Sequence, residues 1–318
     1  FCVILMHRVG RVLRNINPGG AKPEASWVAD QDKVVLRVEA GGKKSYAVVY
    51  LFGAHLTEWR EDNQPPFIFC SSKAVLDGSS PIRGGIPLIF PQFGPRGKLI
   101  SHGFARRSTW SVNASLSSPT SSSSESVSVT FSLSSSTETK KMWNHDFQAL
   151  YKVTLTGASS SQLHASFAVK NTGTSPLRFN MCHHTYYHIS DPKLVSVSNL
   201  SNAVSWEDNI KKTKHSSAPP SQLVIDAAID SVFYKASNSL TIVDKGFERR
   251  LCIEKSGLPD VVVWNPWIAG AAKMKDMADD EWSQFICVEP VELADQGREL
   301  LPGSSWVGDV KHSYTSLK

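Results

Sequence analysis

The chain of 318 residues lacks several features that define whole classes of protein. It has no run of about 18 apolar residues, so no membrane-spanning helix is predicted. Its five cysteines are an odd number with no CxxC pair, a pattern that favours buried, reduced thiols in an intracellular protein. The formal net charge is only +5, which suits a small anionic substrate but is too weak and scattered to predict nucleic-acid binding.

Long helical periodicity is also missing, and strand-like patterns take its place. Runs that alternate or are rich in β-branched residues occur at 34–39, 45–52, 126–133, 151–156, 162–168, 194–200, 240–243, 249–254, 261–264 and 285–289. Short strands separated by turn residues predict an all-β sandwich. A single short helix is predicted around 275–283, where acidic residues occur without Gly or Pro.

The composition shows no break and no internal repeat between residues 33 and 318, so this stretch is predicted to be one domain. Residues 1–32 are interpreted as an N-terminal extension that is disordered or left from expression, and an organellar transit peptide is the alternative. The Ser/Thr-rich segments 115–125 and 134–139 and the polar segment 211–221 are predicted to be surface connections. We expect a cytoplasmic monomer with no nucleic-acid or membrane partner.

The segment 82–97 is dense in Gly and Pro and also strongly apolar, and the segment 101–107 follows it closely. Because prolines remove backbone donors, an irregular loop is expected over 82–97 rather than a strand ladder. The segments carry Arg83, His102 and Arg106, and an arginine fork matches two phosphate oxygens. The Gly spacing is not that of a Walker loop. The pattern predicts a pocket wall, although arginines that serve only as surface charges fit the spacing equally well.

Three histidines and two tyrosines occur together in 177–190. In a strand, His184, Tyr186 and His188 would share one face, and His183 and Tyr187 the other. His184 and His188 would then lie roughly 13 Å apart, too far to share one zinc ion. The segment therefore predicts a polar site and no metal site.

Acidic and aromatic candidates lie nearer the carboxyl end of the chain. Glu289 follows an apolar strand, and Pro290 is expected to place its carboxylate at the strand end. Burial there would raise the pKa of Glu289, which suits a general base, although a solvent-facing Glu fits this segment as well. Asp230 lies between apolar residues, and Trp264 could offer a sugar an aromatic face.

Four motifs together resemble a known family. RGGIPLIFPQFG at 83–94, HGFAR at 102–106, HTYY at 184–187 and CVEP at 287–290 occur in the order seen in glucose-6-phosphate 1-epimerases, the hexose-6-phosphate mutarotases of the aldose 1-epimerase superfamily. Weaker matches at 53–59, 171–177 and 264–267 extend the resemblance over most of the chain. It implies a galactose-mutarotase-like β-supersandwich with few short helices.

The resemblance also implies roles for individual residues. His184 matches the acid that protonates the ring oxygen, and Glu289 matches the base that removes the proton of the anomeric hydroxyl. The residues expected to bind the substrate are Arg83, His102, Arg106, Asp230, Gln92 and Trp264, with Arg83 and Arg106 at the phosphate. Near Asp230 the sequence departs from the family, with Ala228, Ser231 and Phe233 in place of Glu, Arg and Tyr, which implies an altered sugar contact.

Anomer exchange by these residues would need only proton transfer, so neither a cofactor nor a metal is expected. Three other functions fit parts of the pattern. The first is an aldose 1-epimerase acting on free hexoses, and the second is a glycoside hydrolase using Asp230 and Glu289. The third is a carbohydrate-binding module without catalysis. The sequence leaves open which of Lys73, Arg96, Lys98 and Arg107 joins the anion site.

Overall fold

The computed structural model describes residues 24–30, 32–113, 118–119, 125–157, 160–294 and 297–317. The strands are, in chain order, β1 (Glu24–Ala29), β2 (Lys33–Ala40), β3 (Lys43–Tyr50), β4 (His55–Glu61), β5 (Leu88–Ile89), β6 (Ser111–Val112), β7 (Ser118–Pro119), β8 (Ser126–Ser134), β9 (Phe147–Thr156), β10 (Gln162–Asn171), β11 (Leu177–Phe179), β12 (Met181–His183), β13 (Tyr186–His188), β14 (Val195–Ser198), β15 (Ser205–Asp208), β16 (Thr213–His215), β17 (Gln222–Val224), β18 (Ile229–Tyr234), β19 (Ser239–Asp244), β20 (Arg249–Ser256), β21 (Asp260–Asn265), β22 (Phe285–Glu292), β23 (Arg298–Leu300) and β24 (Ser305–Ser316). The helices are α1 (Thr137–Met142), α2 (Trp267–Ala271) and short 3-10 turns at Ala105–Arg107, Pro192–Leu194 and Glu281–Gln284.

Two large antiparallel sheets carry most of these strands. One has the order β17-β14-β19-β20-β24-β10-β9-β8-β6, with β7 beside β8. The other has the order β16-β15-β18-β21-β22-β12-β5, with β13 also on β22. Two smaller sheets, β1-β2-β3-β4 and β11-β23, complete the fold. Alternation along the long strands is clear, since buried and more exposed residues alternate over nearly all of β9 and β10, as expected for sheets with one face in a core.

The main core lies between the two large sheets. Tyr187 in β13 reaches His312 in β24, with 2.7 Å between the hydroxyl oxygen and Nδ1. The His183 ring at the end of β12 lies 6.0 Å from the Tyr151 ring in β9. Face-to-face packing of this kind defines a β-sandwich. The opposite face of the eight-stranded sheet is therefore free to form a site.

The all-β prediction is confirmed, and each of the ten predicted strands overlaps an observed one. The helix expected around 275–283 is wrong, because only a 3-10 turn forms there, at Glu281–Gln284. The four-residue turn ends where β22 begins. No helix among the described residues is long and apolar enough to cross a membrane.

Some predicted connections are ordered elements. Helix α1 begins inside the segment 134–139 because Ser136 and Thr139 form a capping box, which satisfies two backbone donors that a helix start leaves free. Strand β16 lies inside 211–221, and β5 lies inside the segment expected to be wholly irregular. The segment 115–125 falls mostly outside the described residues.

The boundary placed at residue 33 also needs correction. Residues 24–29, assigned above to an extension, form β1, and all six of them pair with residues of β2. The first sheet therefore begins inside the expected extension, where the backbone of β1 satisfies the free edge of β2. Residues 1–23 lie outside the described part of the chain.

Candidate active site

Two cross-strand rows of side chains form the floor of the candidate site. On β21 and β22, Trp264 lies opposite Cys287, and Val262 lies opposite Glu289. The first row continues to Tyr186 on β13 and to Asp230 on β18. Because residues two apart on a strand share a face, the sheet register alone brings both rows to one side of the sheet.

His184 lies at a break in the strand that flanks Glu289. Strand β12 ends at His183 and β13 begins at Tyr186, and both pair with β22. The register on either side of the break places His184 opposite Glu289. At the break, the His184 N–H donates to the Pro87 carbonyl at 3.1 Å and not to β22. Glu289 therefore lies in mid-strand, and the expected position at a strand end is wrong.

The Gly/Pro-rich segment supports this break from the other side. The Tyr186 N–H donates to the Gly85 carbonyl at 2.9 Å. Gly85 has a φ of +66°, and a Cβ there would lie against the Leu56 carbonyl and 2.7 Å from His55 Nε2. Only glycine accepts both the left-handed backbone and this close approach. The motif thus serves to bring a loop backbone against the break between β12 and β13, where His184 lies.

Glu289 is almost completely buried, with 1% of its surface exposed. Burial raises its pKa well above the ordinary value, the Cys182 thiol at 3.5 Å from Oε2 opposes that shift, and the charge of Asp230 adds to it. The desolvation expected from the sequence is therefore present. A carboxyl group that holds its proton this strongly becomes a strong base once ionised.

The His184 ring lies directly against Glu289. Its Nδ1 is 3.4 Å from Glu289 Oε1, within ion-pair distance, although the angles do not make a hydrogen bond. The ring stacks on Tyr186 with an interplanar angle of 8° and meets Trp264 edge-on. Burial lowers the pKa of His184 well below its usual value, and His102, Arg106 and Arg83 lower it further.

A cavity of about 490 Å³ opens above this floor. Its lining consists of Arg83, Phe93, Gly94, Pro95, Arg96, His102, His184, Tyr186, Asn209, Asp230, Val262, Trp264, Met274 and Glu289. A smaller cavity of about 120 Å³ adjoins it and is lined by Ser80, Pro81, Ile82, Arg83, Pro87, Arg106, Arg107, His184, Tyr186 and Asp276. The two share Arg83, His184 and Tyr186, so one end of the site is rich in guanidinium groups.

Arg83 and Arg106 form the cationic end. Arg83 donates to the Tyr186 hydroxyl at 3.1 Å and pairs with Asp276 at 3.1 Å. Arg106 donates to the Ser101 carbonyl at 3.2 Å, and burial lowers its pKa to about 10, with neighbouring cations adding to the effect. The Nε atoms of both arginines are buried without a partner. Buried guanidinium donors that lack partners are suited to an anion.

His102 contributes a neutral ring to the same cavity. Its Nδ1 accepts the Gly94 N–H at 3.3 Å, so the neutral ring carries its proton on Nε2. Burial, reinforced by Arg106 and Arg83, lowers the pKa of His102 to about 3. His102 therefore offers a hydrogen bond and no positive charge.

Asp230 marks the acidic end of the cavity. Its Oδ1 accepts the Asn209 amide at 2.7 Å, which leaves other lone pairs of the carboxylate to accept hydrogen bonds from a ligand. The residue that replaces the family's Arg, Ser231, is buried and lies beside Val263 of β21. Asp230 lines the larger cavity despite the changed sequence around it.

Gln92 is the one predicted site residue that lines neither cavity. Its amide donates to the carbonyls of Gly94 and Leu99, and its oxygen accepts the Leu99 N–H at 3.0 Å. Gln92 thus holds the loop that carries Phe93 and Arg96 in the wall. Of the cations left open above, Arg107 lines the smaller cavity and Arg96 the larger one, whereas Lys73 and Lys98 line neither.

Sequence reasoning did not assign Tyr186, Asn209 or Asp276 to the site. Tyr186 could have been found, because it shares a strand face with His184. Asp276 lies in a segment interpreted as a helix and Asn209 at a strand end. Neither had a local signal, since each reaches the cavity through long-range packing.

One group among the described residues could hold a metal ion. The ligand atoms of His184, Cys287 and Glu289 lie within 4.8 Å of one another. The prediction of no metal site depended on the distance between His184 and His188 along a strand, and this group contains His184 without His188. His188 lies apart from the cavity lining and contacts the Pro66 carbonyl at 3.2 Å.

Known proteins of one family are similar to this chain in sequence. A family model described as Aldose 1-epimerase matches residues 35–313. A protein from Cenchrus ciliaris that carries the provisional name glucose-6-phosphate 1-epimerase is 33% identical over 281 residues, covering 88% of this chain and 83% of that protein. A protein of the same provisional name from Escherichia coli K12 is 31% identical, covering 78% of this chain and 79% of its own length.

Solved structures show the same fold. A provisionally named mutarotase from Salmonella typhimurium superposes with a TM-score of 0.79 at 24% identity, covering 96% of this chain and 97% of that one. A galactose mutarotase-like protein from Clostridium acetobutylicum gives a TM-score of 0.70 at 18% identity, with 92% and 98% coverage. The β-supersandwich implied by the sequence motifs is confirmed.

Proposed function

The chain belongs to the aldose 1-epimerase family, and we propose that it interconverts the α and β anomers of a hexose 6-phosphate, with glucose 6-phosphate as the leading candidate. The observation that carries the proposal is the 3.4 Å contact between His184 Nδ1 and Glu289 Oε1. This contact lies on a cavity floor beside an arginine-lined pocket. The reaction transfers protons and opens and closes one C–O bond without hydride or electron transfer, so the proposal includes no cofactor.

Glu289 and His184 each carry out one proton transfer during ring opening. Glu289 removes the proton of the C1 hydroxyl, the C1–O5 bond breaks to give the aldehyde, and His184 gives a proton to O5. After rotation about C1–C2 the ring closes on the other face, with the two roles reversed. The C1 hydroxyl and O5 are bonded to the same carbon, so an acid and a base in contact can reach both oxygens.

The substrate phosphate supports this chemistry electrostatically. Burial favours the uncharged form of both groups, so the free pair keeps its proton on Glu289. The charges of Arg83 and Arg106 contribute to the low pKa of His184. A phosphate dianion bound between these arginines offsets their charge, which raises the pKa of His184 and favours the imidazolium form that gives a proton to O5.

The phosphate also supplies binding energy far from the reacting carbon. Each charge-assisted hydrogen bond to an arginine contributes about 1.5–3 kcal/mol. That energy holds C1 over the floor and orients the hydroxyls toward Asp230 at the other end of the cavity. His102 and Trp264 are assigned to the sugar ring, and Gln92 to support of the loop.

Exchange spectroscopy by NMR tests the proposal directly. The rate of exchange between the α and β anomers of glucose 6-phosphate, and of free glucose, is measured with and without the protein. We expect strong acceleration for the phosphorylated sugar and much weaker acceleration for glucose. Equal acceleration of both would indicate a free-hexose aldose 1-epimerase, and no acceleration of either would leave a carbohydrate-binding module.

The glycoside hydrolase alternative has a separate test. Asp230 and Glu289 both line the larger cavity, as the paired carboxylates of such an enzyme would. Release of nitrophenol from an aryl glucoside at a rate above background would support it. The cytoplasmic location and the monomeric state of the protein stay predictions.

A further inference from the structure

The floor of the cavity contains a set of side chains that the proposed reaction does not explain. Cys287 is fully buried, and its sulfur lies within 4.8 Å of a ring nitrogen of His184 and a carboxylate oxygen of Glu289. His184 Nδ1 is itself buried without a hydrogen-bond partner. Anomer exchange uses the imidazole and the carboxylate but has no use for a thiol.

This donor set is typical of zinc. Zn²⁺ binds Cys sulfur at about 2.3 Å and His nitrogen or Glu oxygen at about 2.0–2.2 Å, and a site with three protein ligands keeps a fourth position open. Ligand atoms within 4.8 Å of one another need only small side-chain shifts to meet around one ion. The thiol favours thiophilic ions over Mg²⁺.

The surroundings suit an ion as well. The cavity above the floor gives an entry path, and two of the three ligands line it. The Cys182 thiol lies 3.5 Å from Glu289 Oε2, in the position of an outer partner that fixes a ligating carboxylate. The fourth coordination position would face the cavity.

We propose that His184, Cys287 and Glu289 form an inhibitory site for a thiophilic divalent cation such as Zn²⁺, which binds in place of the sugar. Binding is not a redox step. The Cys287 thiol loses its proton to solvent, a proton on Glu289 leaves in the same way, and three ligand–metal bonds form. Affinity therefore rises with pH. The metal site stands on its own geometry, whereas the inhibition also rests on the proposed function.

Cobalt spectroscopy tests the site without any activity measurement. The chelator-treated chain is titrated with Co²⁺ alone, and a sulfur-to-cobalt charge-transfer band in the near ultraviolet is followed. We expect the band to saturate at one equivalent and to weaken when glucose 6-phosphate occupies the cavity. A wild-type chain that gives no such band, or a band indifferent to the sugar phosphate, would overturn the site.

Two buried cysteines beside the same carboxylate supply a matched pair of variants. Cys287→Ser should remove the charge-transfer band, whereas Cys182→Ser should keep it because Cys182 is outside the ligand group. Cys287→Ala and Glu289→Gln provide second routes to loss of binding if a serine at 287 unfolds the chain, which near-ultraviolet circular dichroism would reveal. Persistence of the band in folded Cys287→Ala would refute the assignment.

Inhibition is measured for each variant as the ratio of its anomer exchange rate with Zn²⁺ to its rate without Zn²⁺. Removal of Cys287 should weaken inhibition by at least about 10- to 100-fold, the loss that even an outer partner of a metal ligand can cause. Cys182→Ser should stay close to the wild type in sensitivity, because the serine hydroxyl can still donate to Glu289 in place of the thiol. A cobalt band without zinc inhibition would reject the inhibitory role alone, and a chain without anomer exchange but with the band would reject the proposed function alone.

Discussion

Five consecutive residues place the same side-chain types in two different regions of the molecule. His184 and Tyr186 face the cavity, whereas His183 and Tyr187 face the sandwich core. On the core side Tyr187 is satisfied inside the protein, with its hydroxyl 2.7 Å from His312 Nδ1. On the cavity side His184 Nδ1 has no hydrogen-bond partner.

The difference shows that residue type does not decide the role of a buried histidine or tyrosine. The two tyrosines are equally buried, each at 1% exposure or less, whereas His183 is fully buried and 12% of the His184 side chain is exposed. The sides differ in what the buried polar groups face. The ring nitrogens of His183 also lack a hydrogen-bond partner, but they lie in the closed core, whereas His184 Nδ1 belongs to a residue that lines the cavity. A polar group on a cavity wall is available to a ligand, and one enclosed in the core is not. Four predictions would break or sharpen this contrast, beginning with the largest expected effect.

Glu289→Gln should lower the anomer exchange rate by about 10²- to 10⁴-fold, the range that a general base contributes, with little change in melting temperature. The amide keeps the shape of the side chain but cannot accept the proton. NMR exchange of glucose 6-phosphate measures the rate. The matched control is Glu292→Gln on the same strand, where Glu292 pairs with Arg298 at 3.0 Å outside the cavity. Comparable loss in both variants would show that strand integrity, rather than basicity, is being measured.

Acid should destabilise the fold through histidines away from the cavity. Burial lowers the pKa of His55 to about 4 and of His312 to about 3, from 6.5. The unfolded chain therefore takes up these protons first. The free energy of unfolding should start to fall below pH 6.5 and continue falling to about pH 4 for His55 and about pH 3 for His312, by roughly 1 kcal/mol per histidine per pH unit.

Urea unfolding at a series of pH values measures this slope. His312→Asn should flatten the slope at the low-pH end, even if it lowers stability at pH 7. A free energy of unfolding that does not change between pH 7 and pH 5 would contradict the burial of neutral histidines.

Arg83→Ala should raise the KM for glucose 6-phosphate by roughly 10- to 100-fold, since charge-assisted hydrogen bonds contribute about 1.5–3 kcal/mol each. The KM for free glucose should change little. The control is Arg96→Ala, since Arg96 also lines the larger cavity but lies 3.8 Å from Glu207. This variant should change the KM for glucose 6-phosphate and the KM for glucose to the same extent. A similar rise for both sugars in Arg83→Ala would remove the phosphate assignment.

The paired tyrosines give the smallest effect and the sharpest contrast. Tyr187→Phe should lower the free energy of unfolding by about 1–3 kcal/mol because His312 loses a buried partner, and anomer exchange should stay near wild type. Tyr186→Phe should lower the rate of anomer exchange and leave the free energy of unfolding near that of the wild type. The reason is that the Tyr186 hydroxyl accepts a hydrogen bond from Arg83 at 3.1 Å. If both variants lose stability and keep activity, the two faces are not different in kind.

Much of this organisation could be predicted from local sequence. Alternation gave the strands and correctly separated His184 and Tyr186 from His183 and Tyr187. Glu289 in an apolar run predicted its desolvation. The missed ion pair of Asp276 with Arg83 joins residues far apart in the chain, for which local patterns carry no signal.

The sequence by itself determined which side chains share a face of a strand, because the two-residue period of extended backbone is a local property. Only the tertiary structure decided that a break between β12 and β13 puts His184 opposite Glu289, and that Cys287 joins them. The reason is physical: the register between strands, and the loop carbonyls of Gly85 and Pro87 that hold the break open, are contacts of long range. Contacts of this kind set distances and desolvation, and therefore the acidity of each group.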